Sequence, residues 1–269
     1  MRRSIFSSPP CSRARRHTLL FVAAAAALLL LVYLASSVLA GFLKQTPGGP
    51  YRVAVDAGHG GGDNGASGLA GSQEWALTQA TAQALWELLE TDPDFIPLMV
   101  RADWDASATA GERARTARRQ HADLLLSIHM NSDGGAGTAS GFECFPAPPQ
   151  SPQNAGSMRF ADLLAAEMGA AGAALRGQGG VRYAYYTPEG QRLIRDRGDL
   201  NEQNLESFAV VELPGCPAVL AEQCFITNQG DFDAFAGPEG QRAAAGCYYR
   251  AIRQFFGLPA QPPAPGSAA

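Results

Sequence analysis

The sequence predicts an α/β protein with three layers, in which a twisted, mostly parallel sheet is flanked by helices. Two observations lead to this prediction. Short apolar runs without polar alternation indicate strands, and segments with helical periodicity separate them along residues 51–257. Strands of this kind are buried on both faces, as in a parallel sheet covered by helices. No internal repeat is visible, and one hydrophobic helix is predicted to precede the sheet.

Each element of residues 51–257 has local evidence. The first helix is predicted because Leu77, Ala84 and Leu88 recur on one face at helical spacing. The predicted strands, in chain order, are Tyr51–Asp56, Ile96–Val100, Asp123–Ile128, Gly141–Phe145 and Pro217–Glu222. The predicted helices are Glu74–Glu90, Thr109–His121, Phe160–Met168 and Pro238–Phe256.

One stretch, residues 169–214, interrupts this alternation. Its charged portion, Glu189–Glu206, resembles a helix in composition but has no clean apolar stripe. A helix without an apolar face has nothing to bury against a core. We therefore expect a solvated insertion here.

The N-terminal residues 1–44 are predicted to be a targeting segment. Residues 18–43 are uncharged and apolar, follow five arginines and end at the only lysine, Lys44. Such a run can cross a bilayer of about 30 Å, and the flanking charges place the N-terminus in the cytoplasm. A cleaved signal peptide ending near Val38-Leu39-Ala40 is the alternative. Both predict export to the cell envelope, either membrane-anchored or secreted. A linker (45–50) and a Pro/Ala-rich tail (258–269) flank the body.

The charge distribution excludes one class of partner. Residues 1–44 hold six of the 21 basic residues and no acid, which leaves 15 arginines against 25 acidic residues in the remainder. A body with a balance of −10 has no basic surface to neutralise phosphates. Nucleic acid is therefore not expected as a partner.

Export would leave four cysteines outside the cell: Cys144, Cys216, Cys224 and Cys247. Their spacing lacks the CxxC pattern of a structural zinc site. Four cysteines allow three pairings, and the sequence does not select among them or require any disulfide.

Three predicted strands carry metal-binding or acidic side chains at or just after their carboxyl ends. His59 follows the first strand by three residues, His129 directly follows the strand ending at Ile128, and Glu222 ends the strand that begins at Pro217. Parallel strands bring these ends to one edge of a sheet, where sites are built. Zinc in catalytic sites takes three protein ligands, mostly imidazole and carboxylate. Glu74 could supply a carboxylate at the same edge, because it opens the helix after a glycine-rich loop.

Several ordered motifs then resemble a known family, the zinc-dependent N-acetylmuramoyl-L-alanine amidases of bacterial cell walls (amidase_3 type). The motifs are Val55-Asp56-Ala57-Gly58-His59-Gly60-Gly61, Glu74, Ser127-Ile128-His129-Met130-Asn131-Ser132, Gly141-Phe142-Glu143, Pro217-Ala218-Val219-Leu220-Ala221-Glu222 and Phe225-Ile226-Thr227-Asn228. The resemblance extends from about residue 52 to residue 256.

The resemblance implies one Zn²⁺ held by His59, Glu74 and His129, with Glu222 as catalytic acid/base. The implied substrate is peptidoglycan, cut at the amide between N-acetylmuramic acid and L-alanine. Asn131 and Ser127 are candidates to contact substrate or to orient the ligands. Two alternatives stay open at this point. A zinc peptidase acting on stem peptides would use the same ligands, and a non-catalytic wall-binding protein would use the same fold.

The length of residues 169–214 suggests a form of regulation. Some relatives carry a helix in this region that covers the zinc until a protein activator removes it. Glu202 or Glu206 could occupy the open zinc position in the same way. We therefore expect a protein activator as a further partner.

Overall fold

The computed structural model describes residues 49–200 and 204–260, together with the single position 22. The predicted hydrophobic helix at 18–43 lies outside the described residues, except for position 22. The rest of residues 1–44 and most of the tail also lie outside them. Among the described residues, none belongs to a helix with the length and hydropathy needed to cross a membrane.

A five-stranded sheet forms the centre of the fold, in the spatial order β2-β1-β3-β7-β4. Its strands are β1 (Tyr51–Ala57), β2 (Phe95–Met99), β3 (Leu124–Asn131), β4 (Glu143–Pro146) and β7 (Ala218–Phe225). Strands β2, β1, β3 and β7 run parallel to one another, and β4 pairs antiparallel with β7 at one edge. The sheet is therefore mixed but mostly parallel, as predicted.

Helices cover both faces of this sheet. They are α1 (Glu74–Glu90), α2 (Ala110–Arg119), α3 (Asn154–Ala170), the short α4 (Ala209–Glu212) and α5 (Pro238–Phe255). Strand β3 shows why its run of leucines is apolar throughout. Leu124 and Leu126 pack in the core that contains α1, α3 and α5, whereas Leu125 packs in the core that contains α2 and α4. The α/β fold with flanking helices is confirmed.

The helix boundaries follow local signals closely. Helix α1 spans the predicted residues, and α5 ends one residue before the predicted end. Helix α2 begins after Thr109, whose hydroxyl accepts from the Glu112 amide at 3.2 Å while the Glu112 carboxylate accepts from the Thr109 amide at 2.8 Å. This reciprocal cap satisfies two otherwise unpaired donors. Helix α3 is longer than predicted, since it already begins at Asn154.

Strands β3 and β7 are also longer than predicted. Pairing between them continues past Ile128 through His129 with Glu222 and Asn131 with Phe225, with a register shift between His129 and Asn131. His129 and Glu222 therefore lie within strands. Sheet hydrogen bonds fix the positions of these two residues.

The helix-like interpretation of Glu189–Glu206 is wrong. The described part of that stretch contributes to an antiparallel hairpin of β5 (Arg182–Tyr186) and β6 (Arg192–Asp196). Aromatic residues at β5, with Tyr185 fully buried, favour a strand. These aromatic residues form the strand that pairs with the charged β6. Composition alone did not reveal this partner.

The four cysteines of the body are all buried and free in the described residues. Burial raises the pKa of the Cys224 thiol, which keeps it protonated and unreactive. No disulfide joins the described parts of the chain.

Candidate active site

Three side chains meet at the carboxyl end of the parallel strands. The atoms that His59, Glu74 and His129 would offer a metal lie within 4.8 Å of one another. Glu74 Oε1 is 3.1 Å from His59 Nε2 and 3.0 Å from His129 Nδ1. The three residues come from the loop after β1, the first turn of α1 and strand β3. The three predicted ligands are thus brought together.

Two glycines make this convergence sterically possible. A Cβ on Gly58 would lie 2.4 Å from His129 Cε1, and a Cβ on Gly65 would lie 2.6 Å from Glu74 Oε2. Gly65 also has a φ of +62°, a conformation that L side chains rarely adopt. The glycine-rich loop therefore allows the backbone to approach the imidazole and carboxylate groups closely.

Hydrogen bonds from the surrounding chain orient the ligands. Asp63 Oδ2 lies 2.8 Å from His59 Nδ1, so the carboxylate accepts from the ring and leaves Nε2 for the site. Both oxygens of Glu74 are fixed by backbone donors: Oε2 accepts from the Ala66 amide at 2.9 Å and Oε1 from the Met130 amide at 3.1 Å. The three groups are therefore held in place by the fold itself.

The electrostatics of this group favour a cation. Burial alone would raise the pKa of Glu74, but hydrogen bonds and charge from His129 and His59 prevail and hold it well below its usual range. Burial likewise opposes charge on His59, yet its contacts with Glu74 and Asp63 raise its pKa to about 9. A carboxylate that stays ionised between two imidazoles attracts positive charge, whether a proton or a metal ion.

Glu222 lies beside this group without belonging to it. It pairs with His129 across β3 and β7, and with Glu143 across β4 and β7. Its side chain is buried, and burial raises its pKa to about 7. Its Oε2 atom has no hydrogen-bond partner in the described part of the chain. A buried, unpartnered carboxyl with a pKa near neutrality is suited to take and return a proton.

A cleft of about 520 Å³ opens over these residues. This volume is in the range of small-molecule sites. Besides the four residues above, the lining includes Asp63, Asn131, Tyr186, Arg192 and Phe208. The hairpin β5–β6 therefore supplies part of the wall.

A buried ionic network lies behind the site. Asp56 accepts from Arg113 Nε at 2.7 Å and from Ser127 Oγ at 2.7 Å, and Arg101 lies 3.6 Å away. Arg101 also donates to the carbonyl of His59 at 2.7 Å. Ser127 is fully buried in this network. The structure thus does not bring Ser127 into the cleft, although it joins the network that supports the His59 loop.

Asn131 lines the cleft, and its Nδ2 donates to Glu143 Oε1 at 2.6 Å. Arg182 completes the group by pairing with Glu143 at 2.9 Å. The two proposed inhibitory acids differ in position. Glu206 is exposed and outside the cleft lining, with its carbonyl accepting from the Tyr186 amide, while Glu202 lies outside the described residues.

Sequence reasoning missed four residues of this site: Asp63, Glu143, Tyr186 and Arg192. Glu143 stands in the Gly141-Phe142-Glu143 motif, and the spacing of Asp63 four residues after His59 was the available signal for that residue. Tyr186 and Arg192 had no local signal, because their position depends on the hairpin pairing.

The donor set fits zinc. Two imidazoles and one carboxylate are ligands that Zn²⁺ prefers, and three protein ligands with an open side are the pattern of a catalytic site. The fold and this group of residues define an α/β protein with a candidate metal-dependent hydrolase site.

Comparison with known proteins identifies the family. Residues 53–254 match the model of the Amidase_3 family, described as N-acetylmuramoyl-L-alanine amidase, and the chain belongs to this family of enzymes. It is 31% identical over 204 residues to YqiI of Bacillus subtilis, covering 76% of this chain and 84% of that protein. It is 29% identical over 180 residues to N-acetylmuramoyl-L-alanine amidase CwlM of Bacillus licheniformis, covering 67% of this chain but 58% of that protein.

Solved structures agree on the fold. The N-acetylmuramoyl-L-alanine amidase of Clostridium difficile 630 superposes with a TM-score of 0.63 at 22% identity, covering 77% of this chain and 97% of that one. The catalytic domain of CwlV from Bacillus (Paenibacillus) polymyxa gives a TM-score of 0.61 at 23% identity, covering 77% and 99%.

Proposed function

We propose that the protein hydrolyses the amide between the lactyl group of N-acetylmuramic acid and L-alanine in peptidoglycan. Family membership supports the substrate class and the bond. The observation that carries the chemistry is the position of Glu222, a buried carboxyl with an unpartnered oxygen next to the His59–Glu74–His129 group. An amide needs both a nucleophile and a protonated leaving group, and one such carboxyl can serve both steps.

In this proposal His59, Glu74 and His129 would hold one zinc ion. When bound, zinc polarises the scissile carbonyl and makes water acidic enough to ionise near neutral pH. Asp63 keeps His59 in the tautomer that leaves Nε2 free, and the Ala66 and Met130 amides keep Glu74 in position.

Glu222 moves the proton. Its carboxylate accepts a proton from the attacking water, and the resulting carboxylic acid donates that proton to the departing amine of L-alanine. Both transfers involve one side chain because the water and the leaving nitrogen attach to the same carbon. Groups of this kind contribute about 10²–10⁴ in rate.

Delivery to the wall is part of the proposal. Export through residues 18–43 would place the active site in the cell envelope, where peptidoglycan lies. The CwlD amidase from Clostridioides difficile has been solved in complex with the GerS lipoprotein, with a TM-score of 0.58 at 19% identity. That precedent supports testing whether this chain needs a protein activator.

The test is digestion of purified peptidoglycan by the purified protein, with added zinc or with chelator, followed by mass spectrometry. Free stem peptides that begin with L-alanine, absent after chelation, are expected. Cuts within the stem would replace the proposal with a zinc peptidase. Wall that is bound but remains uncut, even with zinc present at one ion per chain, would favour the wall-binding alternative or an activator. Adding cell-envelope extract then distinguishes these two outcomes.

A further inference from the structure

An arginine on the hairpin faces the cleft. Arg192, the first residue of β6, lines the cleft together with Tyr186, the last residue of β5. The two residues are directly paired across the hairpin. Side chains of directly opposed residues lie on the same face of a two-stranded sheet, so both project toward the site.

The hairpin is attached firmly enough to fix Arg192. At its base, Arg182 pairs with Glu143 at 2.9 Å, and Glu143 lies opposite Glu222 in the central sheet. At its other end, the Tyr186 ring packs edge-on against Phe208 with 5.8 Å between ring centroids. The arginine is therefore carried on an anchored element rather than on a free loop.

Arg192 is an exposed cation in the cleft lining. Arg113, the other arginine of the lining, is buried and paired with Asp56 at 2.7 Å. Arg192 is exposed, and no carboxylate among the described residues forms an ion pair with it. Arg192 and Glu222 line the same cleft.

A guanidinium without a carboxylate partner among the described residues is suited to a carboxylate of the substrate. Its planar fork matches both oxygens of such a group, which makes the contact strong and directional. In peptidoglycan, the residue after L-alanine is glutamate joined through its side-chain carboxyl. Its α-carboxyl is therefore left free, or is converted to an amide. Two residues of extended chain span about 7 Å, so this group lies at the edge of the site when the scissile bond is at its centre.

We propose that Arg192 binds the free α-carboxylate of the second stem residue and makes the site prefer acidic over amidated stems. This inference rests on the proposed amidase function. It assigns to the hairpin the recognition of the peptide, while the sheet edge performs the cleavage.

The expected size of the preference follows from the contact. An amide offers one neutral oxygen, whereas a carboxylate offers two oxygens that share a negative charge. A charge-assisted hydrogen bond is about twice as strong as a neutral one. The wild type should favour the acidic substrate by about 10- to 100-fold in kcat/KM. Replacing Arg192 should remove that preference.

The experiment compares two disaccharide–tetrapeptide muropeptides that differ only in the α-carboxyl or α-carboxamide of the second residue. The zinc-loaded wild type, R192Q, R192K and R119Q are assayed on both. Arg119 lies exposed near the end of α2, so R119Q makes the same charge change away from the cleft. We expect R192Q to lose activity on the acidic substrate alone, R192K to retain part of it, and R119Q to match the wild type.

The outcomes distinguish the assignment of Arg192 from the proposed amidase function. If the wild type cuts both substrates equally, or if R192Q slows both by the same factor, the assignment of Arg192 is wrong while the amidase function stands. If the wild type releases L-alanine stem peptides from neither muropeptide nor intact wall, the proposed function itself fails.

Discussion

Glu222 and His129 occupy directly paired positions on the adjacent parallel strands β7 and β3. Parallel pairing places one candidate metal ligand and one candidate proton carrier side by side on rigid elements. Neither residue depends on a loop for its position. The sheet therefore fixes the distance between the metal site and the acid/base, which is the distance an amide hydrolase must control.

Replacing Glu222 by glutamine should separate catalysis from metal binding. E222Q keeps the side-chain shape but cannot take a proton, so we expect kcat to fall by about 10²–10⁴ while zinc affinity stays unchanged. E239Q, an exposed glutamate of α5, serves as the control. Full hydrolysis by E222Q would refute the assigned role.

A methyl group on Gly58 should disturb the site by contact alone. The Cβ of G58A would meet the His129 ring at 2.4 Å, so the ring must move. Displacements of about 1 Å in a catalytic group cost roughly 10²-fold in kcat/KM. Gly237 has open space around it and an ordinary φ of −75°, so G237A should be active. Equal activity of the two variants would show that the position of His129 is not critical.

Stability of the metal-free protein should depend on pH through Glu222. Its pKa rises from 4.5 to about 7 on folding because of burial. The folded protein therefore holds the proton between these values while the unfolded chain releases it, and stability falls as pH rises through this window. The loss approaches about 3 kcal/mol above pH 7.

The check is chemical denaturation in the presence of chelator at pH 5 and pH 8. Compared with the wild type, E222Q should gain stability at pH 8 and little at pH 5. The other titrating groups are common to both proteins, so the difference isolates this carboxyl. A constant difference between the two proteins across the pH range would contradict the assignment.

A buried ion pair between α5 and the segment that follows α1 should matter for folding. Arg253 of α5 is fully buried and pairs with Asp92, which also accepts from Tyr249 Oη at 2.6 Å. Removing one partner leaves the other charge buried, which costs about 3–5 kcal/mol. We expect R253Q to lose that much in urea unfolding. R250Q breaks a half-exposed pair with Glu167 and should lose about 1 kcal/mol or less.

Much of the fold was accessible to sequence reasoning because its signals are local. The capped start of α2 and the apolar strands β1 and β3 each depend on a few neighbouring residues. The four central site residues were also accessible, since each stands at or near the carboxyl end of a strand or at the start of a helix. Their motifs in addition occur in a fixed order.

The remaining features depend on long-range contacts. The hairpin forms because the buried aromatic strand β5 pairs with β6, and β6 alone is charged and half-exposed. The burial of Ser127 under Asp56 likewise requires knowing that Arg101 and Arg113 converge there. Neither relation has a periodicity in the sequence. Composition therefore suggested a solvated insertion in the first case, and the motif around Ser127 left open whether it contacts substrate or orients the ligands.

Zinc content measured on the purified protein and its variants tests the assignment of the metal site. After dialysis against limiting zinc, we expect one ion per chain for the wild type and for E222Q. We expect loss of the ion in H129A and retention in H121A, which changes an exposed histidine two residues after α2. A wild type that binds no zinc, or an H129A variant that keeps it, would contradict the assignment of His59, Glu74 and His129 as the metal site.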